Sequence, residues 1–240
     1  MRAPTGQMDE IHRALAENLV IFFRDQHITP QQHLAFGRKF GELHIHPAAP
    51  NEGDDPALMK IYADKDSPRA NGEGWHTDVS CDVEPPMGSI LYIKQCPPRG
   101  GDTLFANMYA AYEALSDRMK AYLDGLTALH DGEQTYRGLY ANYGVADRPD
   151  YPRAEHPVVR THPVTGKKAL YVNRGFTRFI VGIPATRATP CWPISTSTRK
   201  TRCSSAASAG PKTPSRSGTT AAPSTARCGT TGRTRGRARG

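Results

Sequence analysis

Residues 72–78, Gly-Glu-Gly-Trp-His-Thr-Asp, decide the fold. They place a histidine and an aspartate with one residue between them, directly after a glycine-rich segment. We expect residues 75–80 to form a strand. Side chains two residues apart on a strand point to the same side, so the His76 imidazole and the Asp78 carboxylate would converge on one metal ion. The pattern therefore predicts two ligands of a metal site.

A histidine–aspartate pair of this kind is weak evidence by itself. The chain has 9 histidines in 240 residues, and most such pairs are polar surface residues. The prediction gains weight from Trp75, directly before the histidine, and from a second motif at residues 100–105, Gly-Gly-Asp-Thr-Leu-Phe. With one more histidine, the pair would form the two-histidine, one-carboxylate set of non-haem Fe(II) oxygenases.

The two motifs resemble those of the taurine dioxygenase (TauD/TfdA) family, which are Fe(II)- and 2-oxoglutarate-dependent dioxygenases. Sequences of that family carry Trp-His-Thr-Asp and Gly-Gly-Asp-Thr-Leu at this separation. Other segments are similar to the family as well, namely residues 20–26, 40–47, 111–116, 156–163 and 169–177. The resemblance covers residues 10–184 and stops there.

The resemblance implies a mainly β fold with flanking helices, the double-stranded β-helix (jelly roll, cupin-like), incomplete at the C-terminus. The many short strands that the sequence predicts, separated by Pro- and Gly-rich turns, agree with this fold class. Residues 1–184 would form one oxygenase domain. We expect this domain to be incomplete at both ends, because family members have another strand before the first helix and further strands at the end.

The resemblance also implies roles for individual residues. His76 and Asp78 would bind Fe(II), and the third ligand, a histidine, is absent from this chain. Thr103 would contact a carboxylate of the co-substrate 2-oxoglutarate, although capping of its turn is an alternative role. His46 would bind the anionic group of the substrate, although a structural role is the alternative.

By resemblance, the chain is a dioxygenase of taurine catabolism that uses Fe(II), 2-oxoglutarate and O2. It would hydroxylate a small anionic, taurine- or sulfonate-like substrate and release succinate and CO2. Taurine enzymes have a tyrosine where this chain has Ala49, so sulfonates, alkyl sulfates and aryloxyacetates all remain open as substrates. The alternative function is a catalytically dead jelly-roll binding protein that lacks the third iron ligand.

Residues 185–240 differ sharply in composition from the rest. They contain no Asp, Glu, His, Leu, Val, Met, Phe or Tyr, and Trp192 and Ile194 are their only large apolar side chains. Eleven of the 31 Lys and Arg residues lie here, so residues 1–184 carry 20 basic and 23 acidic residues, a formal charge of −3 against +8 for the whole chain. A segment that can bury so little apolar surface is expected to be disordered.

Two explanations of this basic segment differ in what they predict. A nucleic-acid-binding arm is disfavoured, because no aromatic residues alternate with the arginines. We favour a reading-frame error, since a shift of one nucleotide under GC-rich codon usage lets residues 215–221 encode Ala-Phe-Trp-Asp-Asn-Arg and residues 224–230 encode Gln-His-Arg-Ala-Val-Trp-Asp. Both phrases resemble the family's distal motif, and the codon of the missing histidine would straddle Ser224 and Thr225.

Capping residues and hydrophobic periodicity predict the other elements. Thr29, Pro30 and Gln32 predict the start of a helix that Gly41 ends, and Ser116 is expected to cap another helix over residues 116–123. Further helices are expected at residues 8–18 and 107–115, and further strands at residues 19–23 (buried), 58–63, 89–94, 103–106, 158–161 and 169–173.

No apolar run reaches membrane-spanning length, and the N-terminus lacks a signal-peptide pattern. We therefore expect a cytoplasmic protein with a small-molecule substrate and without nucleic-acid or membrane partners, and homo-oligomer formation remains open. Cys81, close to the metal motif, is expected to be a small buried apolar residue rather than a ligand.

Overall fold

The computed structural model describes residues 5–47, 55–62, 74–96, 103–137 and 150–183, together with the backbone of two strands at residues 219–223 and 227–230. The helices are α1 (Thr5–Asn18), α2 (Pro30–Gly37), α3 (Met108–Glu113), α4 (Asp117–Leu123) and α5 (Glu133–Tyr136). The strands are β1 (Ile21–Phe23), β2 (Gly88–Tyr92), β3 (Leu104–Asn107), β4 (Thr127–Asp131), β5 (Arg153–Pro157), β6 (Val159–Thr161), β7 (Lys168–Leu170), β8 (Thr177–Ile180), β9 (Thr219–Pro223) and β10 (Arg227–Thr230). None of the helices in these ranges is long and apolar enough to cross a membrane.

Two helices begin at the caps that the sequence predicts. The Thr29 side chain accepts a hydrogen bond from the Gln32 backbone N–H, and the Gln32 side chain accepts one from the Thr29 N–H, so the capping box is complete. The Ser116 hydroxyl accepts a hydrogen bond from the Met119 N–H at the start of α4. Helix α2 ends at Gly37, four residues before the predicted Gly41, with Arg38 as its C-cap.

The strands in the described part of the chain form four small antiparallel sheets. Strand β9 lies between β1 and β2, and β10 pairs with β3. Strand β4 lies between β5 and β8, while β6 and β7 pair with each other. The β6–β7 pair is an antiparallel hairpin, and its two strands overlap the strands predicted at residues 158–161 and 169–173.

The main apolar core packs α3 and α4 against the strands β4, β7 and β8. Its buried members include Met108, Tyr112, Leu123, Leu170 and Ile180. Full burial of each large apolar side chain contributes about 1.5–3 kcal/mol, so this cluster is the main source of stability in the described chain.

A second apolar cluster lies beside the metal motif and consists of Val79, Cys81, Tyr136 and Phe176. Cys81 is completely buried, as predicted, and burial raises the pKa of its thiol to about 12. At neutral pH this cysteine is therefore a protonated core residue and no thiolate ligand.

Strands β9 and β10 come from the segment whose composition predicts disorder. Strand β9 pairs on both sides, with Ile21 opposite Ala221 and Ser89 opposite Ala222. Sheet hydrogen bonds use backbone groups, so a segment of small residues can fill the space between two strands that would otherwise be edges. The expected disorder therefore does not extend to these two strands, and the rest of residues 185–240 lies outside the described residues.

Other predicted strands differ from the structure. Residues 58–62 form no strand. Strand β1 begins at Ile21 rather than at residue 19, because Leu19 has a left-handed φ of 67° that a strand cannot contain. Phe22 is 52% exposed, so this strand is only partly buried.

Candidate metal centre

His76 and Asp78 lie on an irregular turn. Residues 74–77 have no regular structure, and the turn that follows contains a hydrogen bond of 3.0 Å from the Asp82 N–H to the Val79 carbonyl oxygen. Val79 has a φ of 50°, in the left-handed region that β-branched residues rarely adopt, so the chain reverses where a strand would continue. The prediction of a strand at residues 75–80 is therefore wrong.

The turn nevertheless brings the two side chains of the motif together. His76 Nε2 lies 3.0 Å from Asp78 Oδ1. The other ring nitrogen of His76, Nδ1, donates a hydrogen bond of 2.8 Å to the Gly74 carbonyl oxygen. The other carboxylate oxygen, Asp78 Oδ2, accepts one of 2.7 Å from the Ser89 hydroxyl. Hydrogen bonds to Nδ1 and Oδ2 thus fix the two side chains and leave Nε2 and Oδ1 as the atoms that could bind a metal. Hydrogen bonds of this kind orient metal ligands in proteins.

His76 and Asp78 each favour the charged form of the other side chain. Burial lowers the pKa of the His76 imidazole, but the Asp78 carboxylate and the Gly74 carbonyl outweigh it and raise that pKa above its usual value. Desolvation raises the pKa of the Asp78 carboxyl, but His76 and the Ser89 hydroxyl outweigh it and hold that pKa at about 2. Asp78 is therefore ionised at neutral pH, as a metal ligand must be.

His46 lies near this pair. Its ring packs edge-on against the Tyr136 ring, with the two centroids 5.4 Å apart, and it interacts electrostatically with Asp78 and His76. Burial is the strongest influence on His46 and lowers its pKa, so the imidazole is neutral at neutral pH. Three of the residues that the sequence predicts, His46, His76 and Asp78, are thus brought together.

A further contact holds the segment that carries His46 against the metal-site turn. His44 Nε2 lies 2.7 Å from Asp82 Oδ2, and both side chains are only partly exposed. Because His44 precedes His46 by two residues and Asp82 follows Asp78 by four, this pair joins the two segments. No local sequence pattern indicates this contact, since its residues are 38 positions apart.

Thr103 is partly buried and lies directly before β3, the strand that pairs with β10. Within the described ranges, no hydrogen bond or ion pair joins it to His46, His76 or Asp78. Its role in binding 2-oxoglutarate stays a prediction.

Ser89 is a candidate functional residue that the sequence analysis missed. It is the second residue of β2 and donates the hydrogen bond that fixes Asp78. The available signal was weak, since a single serine in the strand Gly88–Tyr92 is compatible with an ordinary partly buried position.

The donor set fits a divalent metal ion, because an imidazole and a carboxylate are both ligands in the two-histidine, one-carboxylate class of iron sites. Within the part of the chain that the structure describes, no group of three or more His, Cys, Asp or Glu residues could hold a metal ion. The predicted third ligand, whose shifted codon would straddle Ser224 and Thr225, lies outside the described residues. His76 and Asp78 are the two candidate ligands within the described residues, and their role in binding a metal stays a prediction.

Residues 2–192 match the family described as "Taurine catabolism dioxygenase TauD, TfdA family". The chain belongs to this family. An alpha-ketoglutarate-dependent sulfonate dioxygenase of Saccharomyces cerevisiae is 34% identical over 184 residues, which cover 72% of this chain and 44% of that protein. An alpha-ketoglutarate-dependent sulfate ester dioxygenase of Pseudomonas putida is 34% identical over 184 residues, which cover 73% of this chain and 60% of that protein. The chain spans about half the length of the first curated relatives it matches.

Solved structures of TauD-type enzymes have the same fold. A taurine dioxygenase from Burkholderia xenovorans matches with a TM-score of 0.70 and 28% identity, over 98% of this chain and 76% of that one. AAD-2 in complex with Mn(II) and N-oxalylglycine matches with a TM-score of 0.72 over 100% of this chain and 85% of that one, and its 21% identity supports the fold alone. The predicted jelly-roll fold and TauD/TfdA family are confirmed.

The predicted enzyme class and cofactors are those of this family. TauD/TfdA enzymes are dioxygenases that depend on 2-oxoglutarate (alpha-ketoglutarate) and use Fe(II) and O2. The His76–Asp78 pair lies in the matched residues and has the donor types that Fe(II) requires.

Proposed function

We propose that this chain is an Fe(II)- and 2-oxoglutarate-dependent dioxygenase for a small anionic substrate of the sulfonate or sulfate-ester class. The observation that carries the proposal is the 3.0 Å approach of His76 Nε2 to Asp78 Oδ1, with the remaining polar atom of each side chain held by Gly74 or Ser89. The names of the S. cerevisiae and P. putida relatives support the substrate class.

His76 and Asp78 would hold the iron through Nε2 and Oδ1. When iron is bound there with 2-oxoglutarate and O2, it supplies the oxidative decarboxylation that yields succinate and CO2 and the hydroxylation of a substrate carbon. The Gly74 carbonyl keeps a proton on His76 Nδ1, so Nε2, which faces the Asp78 carboxylate, is the nitrogen whose proton a metal ion would replace. Asp78 brings a negative charge, since its carboxyl has a pKa of about 2.

His46 and Thr103 would bind the two organic reactants. A neutral His46 imidazole has one N–H to donate, which suits a sulfonate or sulfate oxygen. The edge-on contact with Tyr136 restricts rotation of the His46 ring. The Thr103 hydroxyl would donate to a carboxylate of 2-oxoglutarate.

The third iron ligand, in this proposal, is a histidine encoded by the shifted frame of residues 185–240, so the oxygenase domain of residues 1–184 is interrupted. In support, the family match ends at residue 192. In addition, β9 ends at Pro223 opposite Gly88, beside the Ser89 that fixes Asp78. A residue encoded soon after position 223 would follow a strand that ends opposite Gly88, one residue before Ser89. Sequencing the gene from a fresh template tests this, and an uninterrupted frame that encodes the segment as printed would remove the proposal.

Succinate formation tests the proposed activity. Protein from a frame-restored gene should convert 2-oxoglutarate to succinate when a sulfonate or sulfate ester is supplied, and His76→Ala or Asp78→Ala should lower kcat by about 100-fold or more. Asp124→Asn, at the exposed end of α4, is the charge-removing control and should keep the rate. The proposal fails if the two ligand variants turn over as fast as this control.

A binding protein without turnover is the second candidate, favoured by the finding that no group of three or more His, Cys, Asp or Glu residues in the described ranges could hold a metal ion. It predicts that frame-restored protein binds a sulfonate but forms no more succinate than its His76→Ala variant. Substrate-dependent succinate formation excludes this candidate.

A further inference from the structure

The turn at residues 76–82 does not lie in any of the described sheets, so other contacts must determine its shape. The left-handed Val79 adds conformational strain in the middle of the turn. Strained backbone of this kind persists only where the surrounding structure fixes it. The contacts around Val79 therefore decide whether His76 and Asp78 meet.

Asn173 holds the residue next to Val79. Its Nδ2 donates a hydrogen bond of 2.9 Å to the Ser80 hydroxyl, and its Oδ1 accepts one of 2.9 Å from the Phe176 N–H. Ser80 is 0% exposed and Asn173 is 3% exposed. A buried polar group that loses its partner in such a place is not rescued by water, so this contact orients the turn strongly.

His130 contacts the same hydroxyl from another direction, with Nδ1 2.9 Å from Ser80 Oγ. Burial, together with nearby His156, lowers the pKa of His130 to about 4, so its ring is neutral at neutral pH. A neutral Nδ1 can accept a hydrogen bond from the Ser80 hydroxyl while Asn173 Nδ2 donates one to the Ser80 oxygen. The hydroxyl of Ser80 is thereby held as both donor and acceptor.

Gly175 lies beside His76. A Cβ added at residue 175 would lie 2.9 Å from His76 Cβ, closer than two such atoms approach in proteins. The Gly175 carbonyl oxygen accepts hydrogen bonds from Gln134 Nε2 at 2.6 Å and Thr135 Oγ1 at 2.5 Å, which keep the glycine in place. The position of His76 therefore depends on the absence of a side chain at residue 175.

We infer that Asn173 and Gly175 are positioning residues for the His76–Asp78 pair, with Asn173 acting through Ser80 and Gly175 acting directly on His76. Both lie in the loop between β7 and β8, about 100 positions from the turn in sequence. The role of this loop at a metal centre rests on the proposed function, whereas its effect on the position of His76 does not.

The test compares Gly175→Ala with Gly6→Ala in the full chain, because a Cβ at Gly6 meets nothing within 4 Å. Proteins with 15N-labelled histidine are studied by NMR without metal and then titrated with Mn(II). We expect Gly175→Ala to shift the His76 ring signals and to raise the Mn(II) dissociation constant measured at His76 by about tenfold, as for other residues that orient metal ligands. The Gly6→Ala protein should match the parent in both measurements.

A second variant, Ser80→Ala, removes the hydroxyl that accepts the Asn173 hydrogen bond. It allows the inference to be tested even if the glycine variant does not fold. It should shift the His76 signals in the same way. The inference is overturned if the folded variants leave the metal-free His76 signals and the Mn(II) constant within twofold of those of Gly6→Ala. If the parent chain shows no Mn(II) broadening of His76, the metal site fails, and the metal-free signals alone decide the positioning role.

Discussion

At the scale of single residues, one hydrogen bond from each side chain to the rest of the protein orients the candidate metal ligands His76 and Asp78. His76 uses Nδ1 for the Gly74 carbonyl, and Asp78 uses Oδ2 for the Ser89 hydroxyl. The atoms that remain, Nε2 and Oδ1, face each other at 3.0 Å. Hydrogen bonds that orient ligands in this way contribute to metal affinity as well as to geometry.

Ser89→Ala tests this arrangement at the carboxylate. Loss of the hydroxyl frees Asp78 Oδ2, so we expect the Mn(II) dissociation constant to rise by about tenfold. The measurement is a Mn(II) titration followed by electron paramagnetic resonance. Ser116→Ala, which removes a helix cap far from the pair in sequence, is the control, and equal affinities of the two variants would contradict the role of Ser89.

His130 should make the stability of the chain depend on pH. Its folded pKa of about 4 lies below the ordinary value of 6.5, so the unfolded chain binds a proton first as the pH falls. The free energy of unfolding should therefore decrease from pH 7 to pH 4, with His130 contributing up to about 3 kcal/mol. Urea unfolding of the parent and of His130→Gln measures this contribution, because His156 and the other buried histidines remain in the variant. Parallel pH profiles would contradict it.

The side chains of His76 and Asp78 lie close together, as the sequence predicts, but the backbone that brings them together is a turn and not a strand. The prediction relied on the alternation of a strand, whereas a left-handed Val79 forms the turn, and valine favours strands when only the sequence is considered. The contacts of Ser89, His44 and Asn173 join residues that are distant in sequence. No local pattern can reveal such contacts.

At the scale of elements, the helix starts could be predicted because their signals are local. Thr29 and Gln32 are three residues apart, and the side chain of each accepts a hydrogen bond from the backbone N–H of the other within one turn. Strand β4 was not predicted, because the buried His130 and Asp131 interrupt its apolar pattern. These polar residues are buried through contacts with other elements, including Ser80 and Arg153.

Thr29→Ala should weaken the start of α2. The capping box loses the side-chain acceptor for the Gln32 N–H, which costs about 1 kcal/mol of unfolding free energy. Gln31→Ala, an exposed change in the same helix, should alter stability by less than about 0.5 kcal/mol. Chemical denaturation measures both, and equal losses would show that the cap does not stabilise the helix.

At the scale of the whole molecule, strand β9 joins parts of the chain that are far apart in sequence. It pairs with β1 on one side and with β2, which carries Ser89, on the other. The composition of residues 185–240 indicates how little apolar surface they can bury, but it does not report which backbone groups find partners. For this reason the strands were not anticipated.

Deleting residues 219–240 tests the contribution of β9 and β10. Strands β1 and β2 would become edges with unpaired backbone groups, so we expect a lower thermal midpoint and more aggregation. Deletion of residues 231–240 leaves both strands and is the matched control. Identical midpoints for the two truncated proteins would contradict the pairing.

We propose that His76 and Asp78 bind the iron of a 2-oxoglutarate-dependent dioxygenase. The most direct measurement is the visible absorption of frame-restored protein after anaerobic addition of Fe(II) and 2-oxoglutarate. We predict a metal-to-ligand charge-transfer band that His76→Ala and Asp78→Ala each abolish and that Asp124→Asn retains. A band of equal intensity in both ligand variants, or no band in the folded parent, would contradict the claim.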